Sequence, residues 1–96
     1  MGHVRVSSEA ESDLDLIIAY TINTWGADQA DRYLAQLENG FDLLGRNPSL
    51  GRSCDVLHAG LRRFEVENHV VFYLTEPDGI LIVRVLHRSM LPARHF

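Results

Sequence analysis

The chain has 96 residues, a length that fits one domain over residues 1–96 and leaves no room for a second core. Its composition of 46% hydrophobic and 23% charged residues excludes a disordered chain, and no apolar run approaches the roughly 20 residues that a membrane span needs. Cys54 is the only cysteine, which excludes an internal disulfide and a cysteine-based zinc site. The first five residues contain no apolar stretch typical of a signal peptide, so we expect a cytoplasmic location.

Charge is distributed unevenly along the chain, which has nine arginines, no lysine and a formal net charge of −4. Residues 1–48 contain three arginines and eight acidic residues, whereas the last ten residues contain two arginines, two histidines and no acidic residue. Arginine presents a planar fork that suits carboxylates and phosphates. The basic tail therefore indicates either a polar partner or a solvated surface of mixed charge, and the charge pattern leaves both open.

The first elements predicted along the chain are a strand and a helix. His3–Ser7 alternates in polarity, as a short strand does. The next four residues have the form of a capping box, which predicts that the Ser8 hydroxyl accepts a hydrogen bond from the Glu11 amide. Apolar residues at helical spacing then predict a helix over residues 8–25.

A second helix follows, because apolar residues recur at helical spacing from Ala30 to Leu44. Gly45 and Pro48 are expected to end this helix, and Gly26 is expected to end the first one. A link this short between two helices predicts an antiparallel helical hairpin.

The second half of the chain predicts strands, because three segments are rich in β-branched, aromatic and other large apolar residues. These segments are Leu61–Glu67, His69–Thr75 and Ile80–His87. The segment from Asn47 to Gly60 is predicted to be a loop. Glu76–Gly79 is predicted to be a turn in which Gly79 adopts a positive φ. The predicted fold is α+β: an N-terminal strand, an antiparallel helical hairpin and a three-stranded antiparallel meander.

Histidines and the lone cysteine are the residues that raise the question of metal binding or catalysis. His58, His69, His87 and His95 show no helical pair spacing, so we predict no metal site. Cys54 lies in a predicted loop without a nucleophile-elbow pattern, and the chain has no glycine-rich phosphate loop. We therefore predict neither a catalytic nucleophile nor a cofactor.

Basic residues in the predicted strands and tail have several interpretations. An arginine inside a strand, such as Arg84, must emerge on an accessible face or be paired. His87, Arg88 and His95 could supply the base, the acid and the cation that metal-free RNA cleavage needs. The acidic first half of the chain, however, repels a polyanion, and this favours a protein partner.

Six short motifs occur in order over nearly the whole chain. They are Ala10-x-x-Asp13-Leu14-x-x-Ile17-x-x-Tyr20, Trp25-Gly26-x-x-Gln29-Ala30-x-x-Tyr33, Asn47-Pro48-x-x-Gly51-Arg52, Gly60-Leu61-Arg62-Arg63-Phe64, His69-Val70-Val71-Phe72-Tyr73 and Val85-Leu86-His87-x-x-Met90-x-x-x-Arg94-His95-Phe96. In this order and spacing they resemble the ParE branch of the ParE/RelE toxin superfamily, the toxins of bacterial type II toxin–antitoxin (plasmid stabilisation) modules.

The resemblance implies a toxin that inhibits DNA gyrase and blocks replication without being an enzyme. It also implies a ParD-like antitoxin that neutralises the toxin by wrapping its C-terminal segment around it. The related RelE branch cleaves ribosome-bound mRNA with basic residues and a C-terminal tyrosine. Here the strand starting at His69 begins without an arginine and the tail ends in Phe96. A RelE-like mRNA endoribonuclease and a non-toxic binding module therefore remain as alternatives.

Two binding surfaces are predicted from charge, accessibility and this resemblance. The gyrase-binding residues are expected to be Arg62, Arg63, Arg84, His87, Arg88, Met90, Arg94, His95 and Phe96. The antitoxin-binding residues are expected to be Leu14, Ile17, Ile18, Trp25, Leu34, Leu37 and Phe41, together with a free sheet edge. Because the hairpin is acidic, the antitoxin segment should carry arginine or lysine. We expect no membrane contact and no sequence-specific nucleic-acid binding, and a homodimer of the free protein remains open.

Overall fold

A computed structural model describes residues 3–96. Met1 and Gly2, which the signal-peptide expectation includes, lie outside the described residues. The elements in chain order are β1 (His3–Val6), α1 (Ser8–Trp25), α2 (Ala27–Arg46), β2 (Arg52–Ser53), β3 (Arg62–Val66), β4 (His69–Glu76), β5 (Gly79–His87) and a 3-10 turn (Pro92–Arg94). The predicted α+β class, with an N-terminal strand, two helices and then strands, is confirmed.

The five strands form one mixed sheet in the order β1-β5-β4-β3-β2. The meander of β3, β4 and β5 is antiparallel as predicted, and β1 adds to its edge in parallel with β5, with Val4 opposite Ile80. β2 pairs with β3 inside the segment that was predicted to be entirely a loop. That prediction was wrong at Arg52 and Ser53, because a two-residue strand is too short to show any periodicity.

The start of α1 is set by Ser7 and not by Ser8. The Ser7 Oγ accepts a hydrogen bond from the Ala10 amide at 3.0 Å, whereas the Ser8 Oγ donates to the Glu9 carboxylate. Ser7 has the extended backbone that an N-cap needs, and its hydroxyl also donates to the Val83 carbonyl at 2.8 Å. The predicted capping box was therefore one residue late, because the contact with β5 selects Ser7.

The end of α2 also differs from the prediction. Gly45 lies buried inside the last turn, and the helix continues to Arg46 before Asn47 ends it. Gly26, with φ of 91°, links the two helices as predicted. The helices lie close to the sheet, since a Cβ on Gly40 would overlap the side chain of Val66.

β4 is the central strand and is buried on both faces. Val71 and Tyr73 face the helices, while Val70 and Phe72 face the other side, which we call the outer face of the sheet. The helix-side core comprises Ala10, Leu37, Phe41, Leu44, Val71, Tyr73, Ile80, Ile82 and Val85. A bulge in the β4–β5 ladder skips Val83, which keeps Ile82 and Val85 both on the helix side.

Gly79 is the first residue of β5, directly after the Pro77-Asp78 turn, and its φ is not positive, so the expectation of a positive φ was wrong. The glycine is needed because a Cβ there would overlap the backbone of His3 on the neighbouring strand β1. The positive φ occurs instead at Glu67, at 52°, in the turn between β3 and β4.

An ion pair between Asp13 and Arg84 joins α1 to β5. The Asp13 carboxylate accepts from Arg84 Nε and Nη2, each at 2.8 Å, and from the Val85 backbone amide at 3.0 Å. The two charged side chains are only 11% and 21% exposed. The hydrogen bonds to Asp13 raise the pKa of Arg84 above its usual value.

We predict that Asp13→Ala lowers the free energy of unfolding by about 2–4 kcal/mol, because it leaves a largely buried guanidinium without its partner. Urea denaturation measures this loss. Glu76→Ala is the matched control: it breaks the exposed Arg5–Glu76 pair and should cost less than about 1 kcal/mol. Equal losses for the two variants would contradict the special role of Asp13.

Candidate functional site

A groove of about 820 Å³ opens between the helical hairpin and the end of the sheet where β4 starts and β5 finishes. We call it the hairpin groove. Leu16, Tyr20 and Trp25 line it and are 70%, 68% and 71% exposed. Its remaining lining residues are Ile17, Thr21, Gln29, Tyr33, Gln36, Glu67, Asn68, His69, His87, Ser89 and Met90. Large apolar side chains exposed together in one concave surface are typical of a site for a protein partner.

Two histidines, His69 and His87, lie in ring contact at the sheet end of the groove. Tyr33 Oη accepts a hydrogen bond from the Asn68 amide at 3.1 Å and shares a second hydrogen bond of 2.5 Å with His69 Nδ1. Burial, and then the neighbouring His87, lower the pKa of His69 to about 4. The two imidazole rings meet edge to face with centroids 5.3 Å apart, and His87 Nδ1 accepts from the Ser89 amide.

A row of arginines crosses the outer face of the sheet. Arg52 pairs with Arg63, Arg63 pairs with Phe72, and Phe72 pairs with Arg84, each on the adjacent strand. Residues opposite one another in a ladder share a face, so these four side chains form one line across four strands. The Arg63 guanidinium lies 5.7 Å from the centroid of the Phe72 ring. We call Arg52, Arg63, Phe72 and Arg84 the arginine row.

The C-terminal tail folds back onto the arginine row. The Phe96 ring packs on Phe72 with centroids 5.0 Å apart and an interplanar angle of 60°. Arg84 Nη1 donates to the His95 carbonyl at 3.5 Å. The tail therefore covers the Arg84 end of the row, and Arg52 at the other end is exposed.

The helical hairpin is strongly acidic, whereas the rest of the chain is slightly basic. The helices α1 and α2 contain eight acidic residues and two arginines, whereas the strands, loops and tail contain seven arginines and five acidic residues. The acidic hairpin and the arginine row thus lie on opposite sides of the sheet, a segregation that the overall charge of −4 conceals.

Hydrogen bonds from β3 and β4 hold the loop that follows α2. Tyr73 Oη donates to the Pro48 carbonyl and accepts from the Gly51 amide, both at 2.8 Å, and burial raises the pKa of this phenol. Arg62 Nη1 donates to the Gly51 carbonyl at 2.6 Å. These bonds hold the segment that leads into β2 and so position Arg52.

The structure does not unite the predicted gyrase-binding residues in one patch. Arg62 bonds to the loop on the helix side, whereas Arg63 points to the outer face, because consecutive strand residues face opposite ways. His87 and Met90 line the hairpin groove instead. Arg84 is engaged by Asp13.

The other four predicted gyrase-binding residues lie, like Met90, in the tail that follows β5. His95 and Phe96 contact the arginine row. Arg88 and Arg94 are exposed, and neither forms an ion pair with any residue in the described range 3–96. Arg52 was not among the predicted gyrase-binding residues and is an additional exposed cation on the outer face; its only signal in the sequence was its place in the Asn47-Pro48-x-x-Gly51-Arg52 motif.

The predicted antitoxin-binding residues divide between surface and core. Ile17 and Trp25 line the hairpin groove, while Leu14, Ile18 and Leu34 are half-buried. Leu37 and Phe41 are only 1% and 6% exposed in the helix-side core, so we remove them from the predicted contact surface. Leu16 and Tyr20 were missed; their signal was an apolar i, i+4 pair outside the core-facing stripe.

Comparisons with known proteins now bear on this architecture. Residues 4–92 match the family described as ParE toxin of type II toxin-antitoxin system, parDE. The chain is 37% identical over 95 residues to Toxin ParE1 of Caulobacter vibrioides, covering 99% of this chain and 98% of that protein. It is 37% identical over 86 residues to Toxin ParE1 of Mycobacterium tuberculosis (88% of each chain) and 38% identical over 86 residues to Toxin ParE of Escherichia coli (88% and 84%).

The fold has a counterpart among solved structures. A chain of the chromosomal ParDE TA system from P. aeruginosa superposes with a TM-score of 0.77 at 18% sequence identity, covering 91% of this chain and 96% of that one. The class of the molecule is thus a small α+β toxin, built from a helical hairpin on a five-stranded sheet. The chain belongs to the ParE toxin family of type II toxin–antitoxin systems.

Within residues 3–96, no helix is both long and apolar enough to cross a membrane. Over the same range, no three histidine, cysteine, aspartate or glutamate side chains are grouped closely enough to hold a metal ion.

We predict that His69 makes folding pH-dependent. Its pKa is about 4 in the folded chain against about 6.5 when unfolded, so the unfolded chain binds more protons between these values. Stability should therefore fall as the pH falls from about 7 to about 4, and His69→Gln should flatten this dependence. Denaturation at several pH values measures the slope, with exposed His58→Gln as the control. An NMR titration midpoint for His69 at or above about 6.5 would contradict this account.

Proposed function

We propose that this chain inhibits DNA gyrase, and that a ParD-like antitoxin neutralises it. The observation that carries the proposal is membership of the ParE toxin family over residues 4–92. The inhibitor acts by binding rather than by catalysis. A bound protein that prefers the cleaved gyrase–DNA complex to the religated one shifts that equilibrium by its difference in affinity.

The gyrase-binding surface in this proposal is the outer face of the sheet with the C-terminal tail. Two features support the choice: the arginine row lies there, and Arg88 and Arg94 are exposed cations that form no ion pair within the described residues. Met90 and Leu91 add exposed apolar surface at the start of the tail. Cations beside apolar side chains suit a protein target better than a bare phosphate backbone.

The antitoxin-binding surface in this proposal is the hairpin groove. Leu16, Tyr20 and Trp25 give it the exposed apolar surface that an amphipathic helix covers in helix-in-groove recognition. The surrounding helices are acidic, so the antitoxin segment should flank its apolar face with arginine or lysine.

We predict that the purified chain inhibits supercoiling by gyrase and increases cleaved DNA. Arg88→Gln/Arg94→Gln should raise the concentration for half-inhibition about tenfold, because it removes exposed cations worth about 1.4 kcal/mol together. These substitutions are preferable to a truncation of the tail, because removing Phe96 would uncover Phe72 and perturb the sheet.

Relaxation of DNA by topoisomerase I is the control for nonspecific inhibition. Expressing cells should form filaments and mount a DNA-damage response. Failure of the folded chain to inhibit gyrase at any concentration would overturn the proposal. Ribosome-dependent mRNA cleavage would then identify the endoribonuclease alternative, and unaffected growth would identify a non-toxic binding module.

We predict that Leu16→Ser/Tyr20→Ser weakens binding of a ParD-like antitoxin at least about a hundredfold, because two exposed apolar anchors of the groove are lost. Calorimetric titration measures the dissociation constant. Val56→Ser is the matched control, since Val56 is a fully exposed apolar residue outside the groove. Unchanged affinity in the double variant, or equal weakening in the control, would show that the antitoxin does not bind through the hairpin groove.

A further inference from the structure

Arg52 and Arg63 face each other directly on adjacent antiparallel strands. Their Cα atoms are register partners between β2 and β3, so both side chains lie on the outer face. Two like charges placed opposite in a ladder destabilise it. The juxtaposition therefore costs folding stability, and an anion bound between the two guanidinium groups would offset that cost.

Only part of this positive charge is balanced within the chain. Arg52 Nη2 donates to the Glu65 carboxylate at 2.8 Å, an exposed pair that solvent screens. Arg63 makes no ion pair in residues 3–96, and its Nε is buried without a hydrogen-bond partner there. Its guanidinium rests against Phe72, which fixes its position on the sheet. A guanidinium that is held in position and forms no ion pair within residues 3–96 is suited to a carboxylate acceptor.

The row is not equally available along its length. Arg84 is engaged by Asp13 and lies beneath the tail, so the accessible cations are Arg52 and Arg63 at the β2 edge. Phe96 packs on Phe72, the same ring that the Arg63 guanidinium contacts, and is partly exposed. The free end of the row thus combines two guanidinium groups with a neighbouring apolar contact.

We propose that Arg52 and Arg63 form the seat for a carboxylate carried by an acidic, apolar-flanked segment of a partner protein. If the proposed function holds, that segment belongs to gyrase, and the seat is the anchor of the toxin on its target. Binding exchanges the internal Glu65 carboxylate for that of the partner at Arg52. The same carboxylate supplies a charged acceptor to the Arg63 guanidinium.

A carboxylate on a protein fits this surface better than a phosphate backbone. Phe72 is fully buried, so it offers no open ring on which a base could stack. The partly exposed Phe96 ring near Arg63 matches an amino-acid side chain, and the acidic hairpin disfavours a long polyanion. A short acidic segment needs only the two arginines, and on the outer face the sheet separates it from the acidic hairpin.

The first experiment needs no gyrase. Fluorescence anisotropy measures binding of the full chain to a short labelled peptide of alternating glutamate and leucine. Arg52→Gln/Arg63→Gln should weaken this binding about tenfold or more, because both forks are lost. Arg32→Gln/Arg46→Gln, which removes two exposed arginines from α2, is the control of equal charge and should change binding less than about twofold.

A second variant distinguishes loss of the seat from loss of the fold. Glu65→Gln frees Arg52 from its internal partner and should tighten peptide binding about two- to fivefold, which is the strength of an exposed ion pair. Misfolding cannot produce tighter binding. No gain in Glu65→Gln, together with unchanged binding in Arg52→Gln/Arg63→Gln, would overturn the carboxylate seat.

The same variants are then compared in gyrase supercoiling. The concentration needed for half-inhibition should rise in Arg52→Gln/Arg63→Gln and fall in Glu65→Gln. The variants should rank in the same order as in peptide binding. If the wild-type chain binds the peptide but never inhibits gyrase, the proposed function fails while the seat stands. A labelled single-stranded oligonucleotide is tested in the same way. If its binding depends on Arg52 and Arg63 and binding of the peptide does not, the two arginines bind phosphate and the proposal is overturned.

Discussion

The position of the helical hairpin on the sheet depends on the contact of α1 with β5. Beyond the end of β1, the start of α1 hydrogen-bonds to the edge of β5. The Ser7 backbone amide donates to the Ile82 carbonyl, and the Asp13 carboxylate accepts a hydrogen bond from the Val85 amide. The Arg84 guanidinium on β5 donates two further hydrogen bonds to the same carboxylate. The Asp13 carboxylate is largely buried and accepts hydrogen bonds from both the Arg84 guanidinium and the Val85 amide. These directional bonds restrain the position of α1 on the sheet, and therefore the position of the hairpin groove.

The proposed partner surfaces lie on opposite sides of one thin sheet. The hairpin groove holds the histidine pair and exposed apolar side chains, while the outer face carries the arginine row. The two are linked by the end of β5, because His87 lines the groove and the tail that follows returns to the outer face through Phe96. On the proposed function, an antitoxin that contacts Met90 in the groove touches the start of the segment that packs on the arginine row.

Much of the fold could be predicted because its signals are local. The helical stripe from Ala30 to Leu44, the strand boundaries near His69 and His87, and the helix-ending Gly26 all follow from neighbours a few residues apart. The predictions that were wrong concern positions whose role is set by contacts with residues far away in the sequence. Ser7 is chosen as the N-cap by its bond to Val83, and the need for glycine at position 79 comes from the backbone of β1.

By itself, the sequence determined the element order, the α+β class, the resemblance to ParE toxins and the presence of a surplus of arginine in the second half. Only the tertiary structure decided which side chains act together. Alternation along a strand separates Arg62 from Arg63, whereas pairing across strands unites Arg63 with Arg52. Packing buries Phe41 and leaves Leu16 exposed on the hairpin. The reason is that burial and cross-strand register depend on contacts between residues far apart in the chain, which periodicity does not encode.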